Sequence, residues 1–220
     1  MKLANNLYFY PEQGMLDCNT YVIKGNSGII IDPGNAEFLA SRVSGLKKDG
    51  IDPADIGVIV NTHLHIDHCG ANEAFKALSG AKIALHPVQK KYYQLVVVDG
   101  ARIFGMEPVE FTEDYLLNDS RLTSGNVELE LVPAPGHSPD CVCFYDRENK
   151  VLICGDVLFE MNTGRVDLPG GDGEALKKSI EALSLLDIEY LLPGHMSVVT
   201  GAGKVAENFD FIRNNVFPWL

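Results

Sequence analysis

The sequence predicts one α/β domain in which two sheets pack face to face, with helices on their outer surfaces. Three observations carry that expectation. Segments with strand and helix patterns follow the same order in both halves of the chain, strands first and helices after them. Turn formers are frequent, with 21 Gly and 11 Pro in 220 residues, which argues for many short elements rather than a few long helices. No stretch is long or polar enough to separate domains, so residues 1–220 read as a single unit.

Leu7 to Phe9 and then residues 19–23 alternate loosely and are rich in aromatic and β-branched side chains. Both read as strands, with Pro11 and Gly14 turning the chain between them. Gly28-Ile29-Ile30-Ile31 reads as a buried strand closed by the turn Asp32-Pro33-Gly34. Residues 36–48 have helical spacing, with Phe38, Leu39, Val43 and Leu46 on one side. Ile56–Val60 reads as a second buried strand, followed by a short helix over 71–78 and a short strand over 81–85. Across 88–118 the pattern blurs, as Tyr92, Tyr93, Leu95, Val96, Phe104, Met106 and Phe111 mix with turns. A stretch this irregular inside a compact domain reads as a lid or substrate-binding insert. Residues 127–132, 141–145 and 151–154 read as a meander, with Asp146-Arg147-Glu148-Asn149 as its last turn. Residues 173–186 form an amphipathic helix with Leu176, Ile180, Leu183 and Leu186 on its apolar side. A last strand follows over 190–192 and a closing helix over 203–216.

The net charge of −12 comes from 18 Lys+Arg against 30 Asp+Glu, and no Lys/Arg run exceeds two residues. A phosphate backbone would meet a repulsive field, so nucleic acid is not an expected partner. The five cysteines are odd in number and form no C-x-x-C, which argues against a disulfide framework. Residues 1–6 lack the apolar core of a signal peptide, and no apolar run reaches membrane-spanning length. The expectation is a reduced, cytoplasmic protein that acts on a small molecule, away from the membrane; a homo-oligomer is compatible with it.

The sharpest feature is Thr62-His63-Leu64-His65-Ile66-Asp67-His68, which holds half of the chain's 6 histidines and a carboxylate directly after a buried strand. Loops at strand ends are where α/β proteins build sites. Imidazole with carboxylate suits zinc, iron or manganese. Alternation turns His63, His65 and Asp67 one way while His68 starts the next turn, so one loop could serve two neighbouring ions. A polar loop with chance histidines is the bland alternative, but buried polar groups need partners, and so dense a cluster is hard to satisfy without metal. Three more residues occupy turns after strand-like runs, each preceded by glycine: Gly136-His137, Gly155-Asp156 and Gly194-His195. Alone, each reads as an ordinary polar residue; with the cluster they complete a ligand set.

In this order, Asp32, His63-x-His65-x-Asp67-His68, His137, Asp156 and His195 resemble the motif set of the metallo-β-lactamase superfamily, over residues 32–195. The resemblance implies a four-layer αββα sandwich and two divalent metal ions, zinc foremost, with iron or manganese as alternatives. It places His63, His65 and His137 on the first ion and Asp67, His68 and His195 on the second, with Asp156 bridging them. Two ions roughly 3.5–4 Å apart can share a hydroxide and polarise a scissile carbonyl, which makes the chain a hydrolase. Asp67 would be catalytic as well as ligating, holding or relaying the proton of the attacking water. Asp32 would orient the ligand loop, although a turn-forming Asp before Pro33-Gly34 is an equal reading. His86 matches no ligand position and reads as structural or at the pocket edge. Cys69, Cys141, Cys143 and Cys154 read as packed core thiols.

Gly155-Asp156-Val157-Leu158-Phe159, with Gly164-Arg165-Val166-Asp167-Leu168-Pro169-Gly170-Gly171-Asp172, resembles the glyoxalase II-like (hydroxyacylglutathione hydrolase-like) branch, which hydrolyses thioesters of glutathione. Arg165 could pair with a substrate carboxylate, or with Asp167 or Asp172 to shape the loop. Only 25 residues follow His195, too few for that branch's helical glutathione-binding domain. The expectation is therefore a thioester or related ester with its thiol unspecified, and residues 88–118 lining the pocket. The Gly-Arg-x-Asp portion also resembles the persulfide dioxygenases, which use one iron on positions matching His63, His137 and Asp156. That oxidoreductase is the alternative.

Overall fold

The computed structural model describes every residue except Phe104 and Asp119; Phe104, named with the 88–118 segment, thus lies outside the described residues. The first sheet runs in chain order through β1 (Lys2–Ala4), β2 (Leu7–Tyr10), β3 (Thr20–Ile23), β4 (Gly28–Ile31), β5 (Ile56–Val60), β6 (Lys82–Leu85) and β7 (Tyr115–Leu116). The second begins with β8 (Arg121–Ser124), β9 (Val127–Pro133), β10 (Val142–Asp146) and β11 (Val151–Gly155). A separate hairpin of β12 (Leu158–Phe159) and β13 (Asn162–Thr163) interrupts it. The sheet then resumes beside β11 with β14 (Tyr190–Pro193) and β15 (Val199–Thr200).

Side-chain alternation along the strands builds the layers. Ile29 and Ile31 of β4 meet Phe144 of β10 and Ile153 of β11 in the core between the sheets. Ile30 points the other way, onto Leu46 of α1 (Leu39–Lys48) and Phe75 of α3 (Asn72–Ser79). Cys143 and Leu152 point outward from the second sheet, onto Leu176 and Ile180 of α6 (Gly173–Leu183) and Phe209 of α7 (Ala202–Asn215). The result is the αββα sandwich expected from the sequence. Cys69, Cys141, Cys143 and Cys154 are all buried in the outer cores, and burial pushes each thiol up in pKa. No described helix is long and apolar enough to cross a membrane.

Two differences from the sequence expectation bear on the site. Helix α1 buries Arg42 and Leu46, while Phe38, Leu39 and Val43 are only partly covered. Arg42 is 1% exposed and lies against Asp17, which is also 1% exposed, so an ion pair occupies what the spacing marked as an apolar face. Residues 88–118 are also more regular than expected. They hold α4 (Pro87–Tyr93), a π-helical stretch Gln94–Asp99, α5 (Gly100–Ile103) and β7. His86 caps α4, its ring accepting from Val88 N at 3.2 Å while Gln89 Oε1 accepts from His86 N at 2.9 Å. His86 is therefore a helix cap. Val96 and Val97 of the π-helical stretch pack into the outer core of the first sheet.

Strands β4 and β5 run parallel, as do β11 and β14. Their C-terminal ends therefore open at one rim of each sheet, which is where Asp32, Asn61-Thr62-His63, Asp156 and His195 follow them.

Candidate metal centre

The ligand loop starts extended and then coils. His63 and His65 keep the strand alternation, but a helical turn, α2 (Ile66–Cys69), begins directly after His65. Asp67 therefore leaves the alternation and joins His68 on the turn, where both face His195. His137, Asp156 and His195 arrive from the second sheet. A Cβ at Gly194 would run into Asp156 Oδ1 and His68 Cε1, so a glycine is what lets this turn approach them.

All seven expected ligands converge in two groups. His63 Nε2 and His137 Nε2 each lie 3.0 Å from His65 Nδ1. Asp67 Oδ2 lies 3.2 Å from His195 Nε2 and 3.7 Å from His68 Nε2. Asp156 spans the groups, with Oδ1 at 3.3 Å from His68 Nε2, and Oδ2 at 3.6 Å from His137 Nε2 and 3.5 Å from His195 Nε2. Tetrahedral donors at zinc bond lengths sit roughly 3.3–3.4 Å from one another, inside this spread. His68 Nε2 and Asp156 Oδ1 are buried with no hydrogen-bond partner among the described residues. Both need a charge-bearing partner, and a divalent cation fits that need.

Bonds behind the rings turn the donor nitrogens inward. His137 Nδ1 donates to Arg165 O at 2.7 Å, His68 Nδ1 lies 3.0 Å from Asp32 Oδ2, and His195 Nδ1 lies 2.7 Å from Glu12 Oε2. Each contact fixes a tautomer that leaves Nε2 facing the cluster. His63 Nδ1 is 3.3 Å from Thr62 Oγ1. Asp32, fully buried at φ +54°, also accepts from Thr62 N at 2.7 Å and Thr62 Oγ1 at 2.6 Å. Its bonds thus reach across to the ligand loop rather than only closing its own turn.

The electrostatics divide the same residues. Burial and the neighbouring imidazoles hold His63 well below its ordinary pKa, and they hold His65 at about 3, so both are neutral donors at pH 7. Burial would also lower His68, but the Cys18 sulfur and the carboxylates of Asp32, Asp67 and Asp156 lift it well above its ordinary value. Burial opposes a charge on His195 too, yet Asp156 and Asp67 raise it to about 11. Against their own burial, Asp67 and Asp156 are held below the carboxylate range, His68 being the foremost cause for each.

A cleft of about 420 Å³ opens over the donors. Its lining includes Leu16, Ile66, Phe159, Leu168 and Arg165, and among the described residues none from 88–118. Arg165 donates to Asp167 at 2.6 and 2.7 Å, while Asp172 caps α6 by accepting from Ala175 N. The Arg165–Asp167 pair is the one of the two expected loop pairings that forms.

Besides Asp32, the sequence did not single out the residues that hold the ligands from behind. Glu12 is an isolated acid in a loop, with no local pattern to mark it. Its loop is tied down twice. Asn19 N donates to Gly194 O at 2.7 Å, and Asn19 Nδ2 donates to Pro193 O at 3.1 Å and Met196 O at 3.0 Å. Asp17 takes two bonds from Arg42, at 2.8 and 2.9 Å. Asp140 is the third such residue; its Oδ2 accepts from Leu64 N at 2.9 Å, between His63 and His65.

Comparison with known proteins agrees with this geometry. The sequence model of the metallo-beta-lactamase superfamily matches residues 14–195. A probable metallo-hydrolase of Bacillus subtilis (strain 168), YqgX, is 32% identical over 193 residues, spanning 86% of this chain and 87% of that one. Hydroxyacylglutathione hydrolase GloC of Haemophilus influenzae is 34% identical over 177 residues, spanning 78% and 81%. Among solved structures, the BLEG-1 B3 metallo-beta-lactamase superposes with a TM-score of 0.78 at 30% identity, covering 91% of this chain and 96% of that one. TTHA1623, in a di-iron-bound form, superposes with a TM-score of 0.74 at 30% identity, covering 90% and 98%. Fold, donor cluster and sequence agree, and the chain belongs to the metallo-β-lactamase superfamily.

Proposed function

We propose that this metallo-hydrolase works with two divalent ions, zinc foremost with iron or manganese also suited, and cleaves a thioester or related ester. The observation that carries the reading is the convergence of five imidazole nitrogens with Asp67 and Asp156, of which His65, His137, His195 and both carboxylates line one cleft. His63, His65 and His137 would hold one ion, Asp67, His68 and His195 the other, and Asp156 both. Bound there, the ions would acidify a water toward a pKa of about 7 and polarise the acyl oxygen.

The chain's own groups do the rest. Asp67 lines the cleft beside His195, and its carboxylate would accept the water's proton and pass it to the departing group. Asp32 stiffens the ligand loop through Thr62 and His68. Arg165 lines the cleft in an exposed ion pair with Asp167, and a substrate carboxylate would compete with Asp167 for its guanidinium. The name of the Haemophilus relative favours a thioester among carbonyl substrates.

The test is turnover of a thioester panel by wild type and Asp67→Asn, with thiol release and oxygen uptake followed together. Wild type is expected to release thiol without consuming oxygen. Asp67→Asn is expected to keep its circular dichroism spectrum and lose roughly a hundredfold or more in kcat. Wild-type turnover by Asp67→Asn would remove Asp67 from the mechanism. Oxygen uptake on a persulfide with one iron per chain would replace the reading with the mononuclear oxidoreductase on His63, His137 and Asp156.

A further inference from the structure

The wall of the cleft beside the donors is apolar. Leu16, Ile66, Phe159 and Leu168 line it next to Asp67, Asp156 and His195. Arg165 is the single Lys/Arg side chain of that lining among the described residues, and Asp167 already holds it. The cleft thus offers a long substrate arm hydrocarbon contact, and its one basic side chain among the described residues is already paired.

Backbone conformation points to the same wall. Among the described residues, the non-glycine residues with positive φ are Leu16 (59°), Asp32 (54°), Lys150 (55°), Met161 (59°) and Met196 (66°). Asp32 reaches Thr62 and His68 from that conformation, and Lys150 turns the β10–β11 hairpin. The other three are large apolar residues with exposed side chains, at 37% for Leu16, 48% for Met161 and 48% for Met196. Glycine or asparagine would sit there with less strain and no exposed hydrocarbon. Leu16 lines the cleft itself, Met161 lies between the lining residues Phe159 and Thr163, and Met196 follows His195. Leu16 is also held in place: Asn35 Nδ2 donates to its carbonyl at 3.0 Å, and its neighbour Asp17 is clamped by buried Arg42. Leu16, an exposed apolar side chain kept in strained backbone on the cleft wall, is accounted for by an apolar ligand that covers it.

We propose that Leu16, Ile66, Phe159 and Leu168 form the subsite for the acyl arm of the substrate, and that this arm is an uncharged hydrocarbon chain. The substrate class is then a thioester with an apolar acyl group. The inference rests on the hydrolase reading for the carbonyl at the donors, but the subsite is measurable by binding alone.

The experiment is calorimetric titration of the metal-loaded protein with acetate, butyrate, hexanoate and octanoate, in wild type and Leu16→Asn. Asparagine tolerates the left-handed conformation, so the loop is retained. Kd is expected to fall roughly two- to fourfold per methylene from acetate to hexanoate, the upper figure corresponding to about 0.8 kcal/mol of transfer. That dependence is expected to weaken to half or less in Leu16→Asn. A Kd independent of chain length, no binding of hexanoate, or an unchanged dependence in Leu16→Asn overturns the proposal. Thioesters of the same acids separate the two claims. Chain-length-dependent binding without thioester cleavage leaves the subsite standing and removes the hydrolase reading. Cleavage of acetyl and hexanoyl thioesters at equal kcat/KM, with flat binding, leaves the hydrolase and removes the subsite.

Discussion

Replacing Glu12 with alanine takes away the carboxylate behind His195 and leaves every proposed ligand in place. Glu12 Oε2 lies 2.7 Å from His195 Nδ1, a charge-assisted bond that fixes which ring nitrogen faces the cluster. Bonds to charged groups contribute about 1.5–3 kcal/mol when dry. Here the side chains are 24% and 39% exposed, so water competes and the lower end applies. About 1.4 kcal/mol is a factor of ten, so one ion should bind roughly tenfold more weakly, at the low end of the range for such partners. His63, His65 and His137 make no contact with Glu12, so the other ion should keep its affinity. Glu12→Gln retains an acceptor oxygen and should recover part of the loss. Competition against a chromophoric chelator resolves the two stepwise constants. Unchanged constants in Glu12→Ala, or equal weakening of both, would refute the assignment of Glu12 to one half of the centre.

The buried charges carry the remaining predictions. Arg42→Met strands Asp17, fully buried, with only the Gln13 and Asn35 amides as donors, and should cost about 3–5 kcal/mol in urea unfolding; a loss below about 1 kcal/mol would mean that the pair is not what anchors the loop. At pH 7 the metal-free protein carries a proton on His195, held up to about 11 by Asp156 and Asp67, so loading should release at least one proton per chain. Affinity for metal should accordingly rise with pH until His195 deprotonates at about 11, and an indicator titration in weak buffer that detects no release would contradict this. In the metal-free fold, linkage has a definite sign: His195, raised from 6.5 to about 11, contributes stability that is full below 6.5 and lost as pH rises through 11.

Where hydrophobic period and burial coincide, the sequence revealed the fold. Ile29, Ile30 and Ile31 form an unbroken apolar run because both faces of β4 are covered, and Leu176, Ile180 and Leu183 mark the buried side of α6. Strand β8 escaped because Arg121 and Thr123 face out and only Leu122 supplies an apolar signal. The helix over 87–103 escaped because its Val96-Val97-Val98 run imitates a strand; β-branched residues are poor helix formers, and packing on the first sheet overrides that preference. The donor cluster stood out because its residues are chemically rare and locally dense. Of what holds them only Asp32 did, since Glu12 and Asp140 reach the centre through contacts 183 and 76 positions apart in the chain, and Asp17 through its buried pair with Arg42, 25 positions away.

The central claim is that the convergent histidines and aspartates hold two ions. Elemental analysis of protein purified without added metal tests it most directly. About two divalent ions per chain are expected, with one of them lost preferentially in His195→Ala. A single ion per chain in wild type, unchanged by His195→Ala, would contradict it.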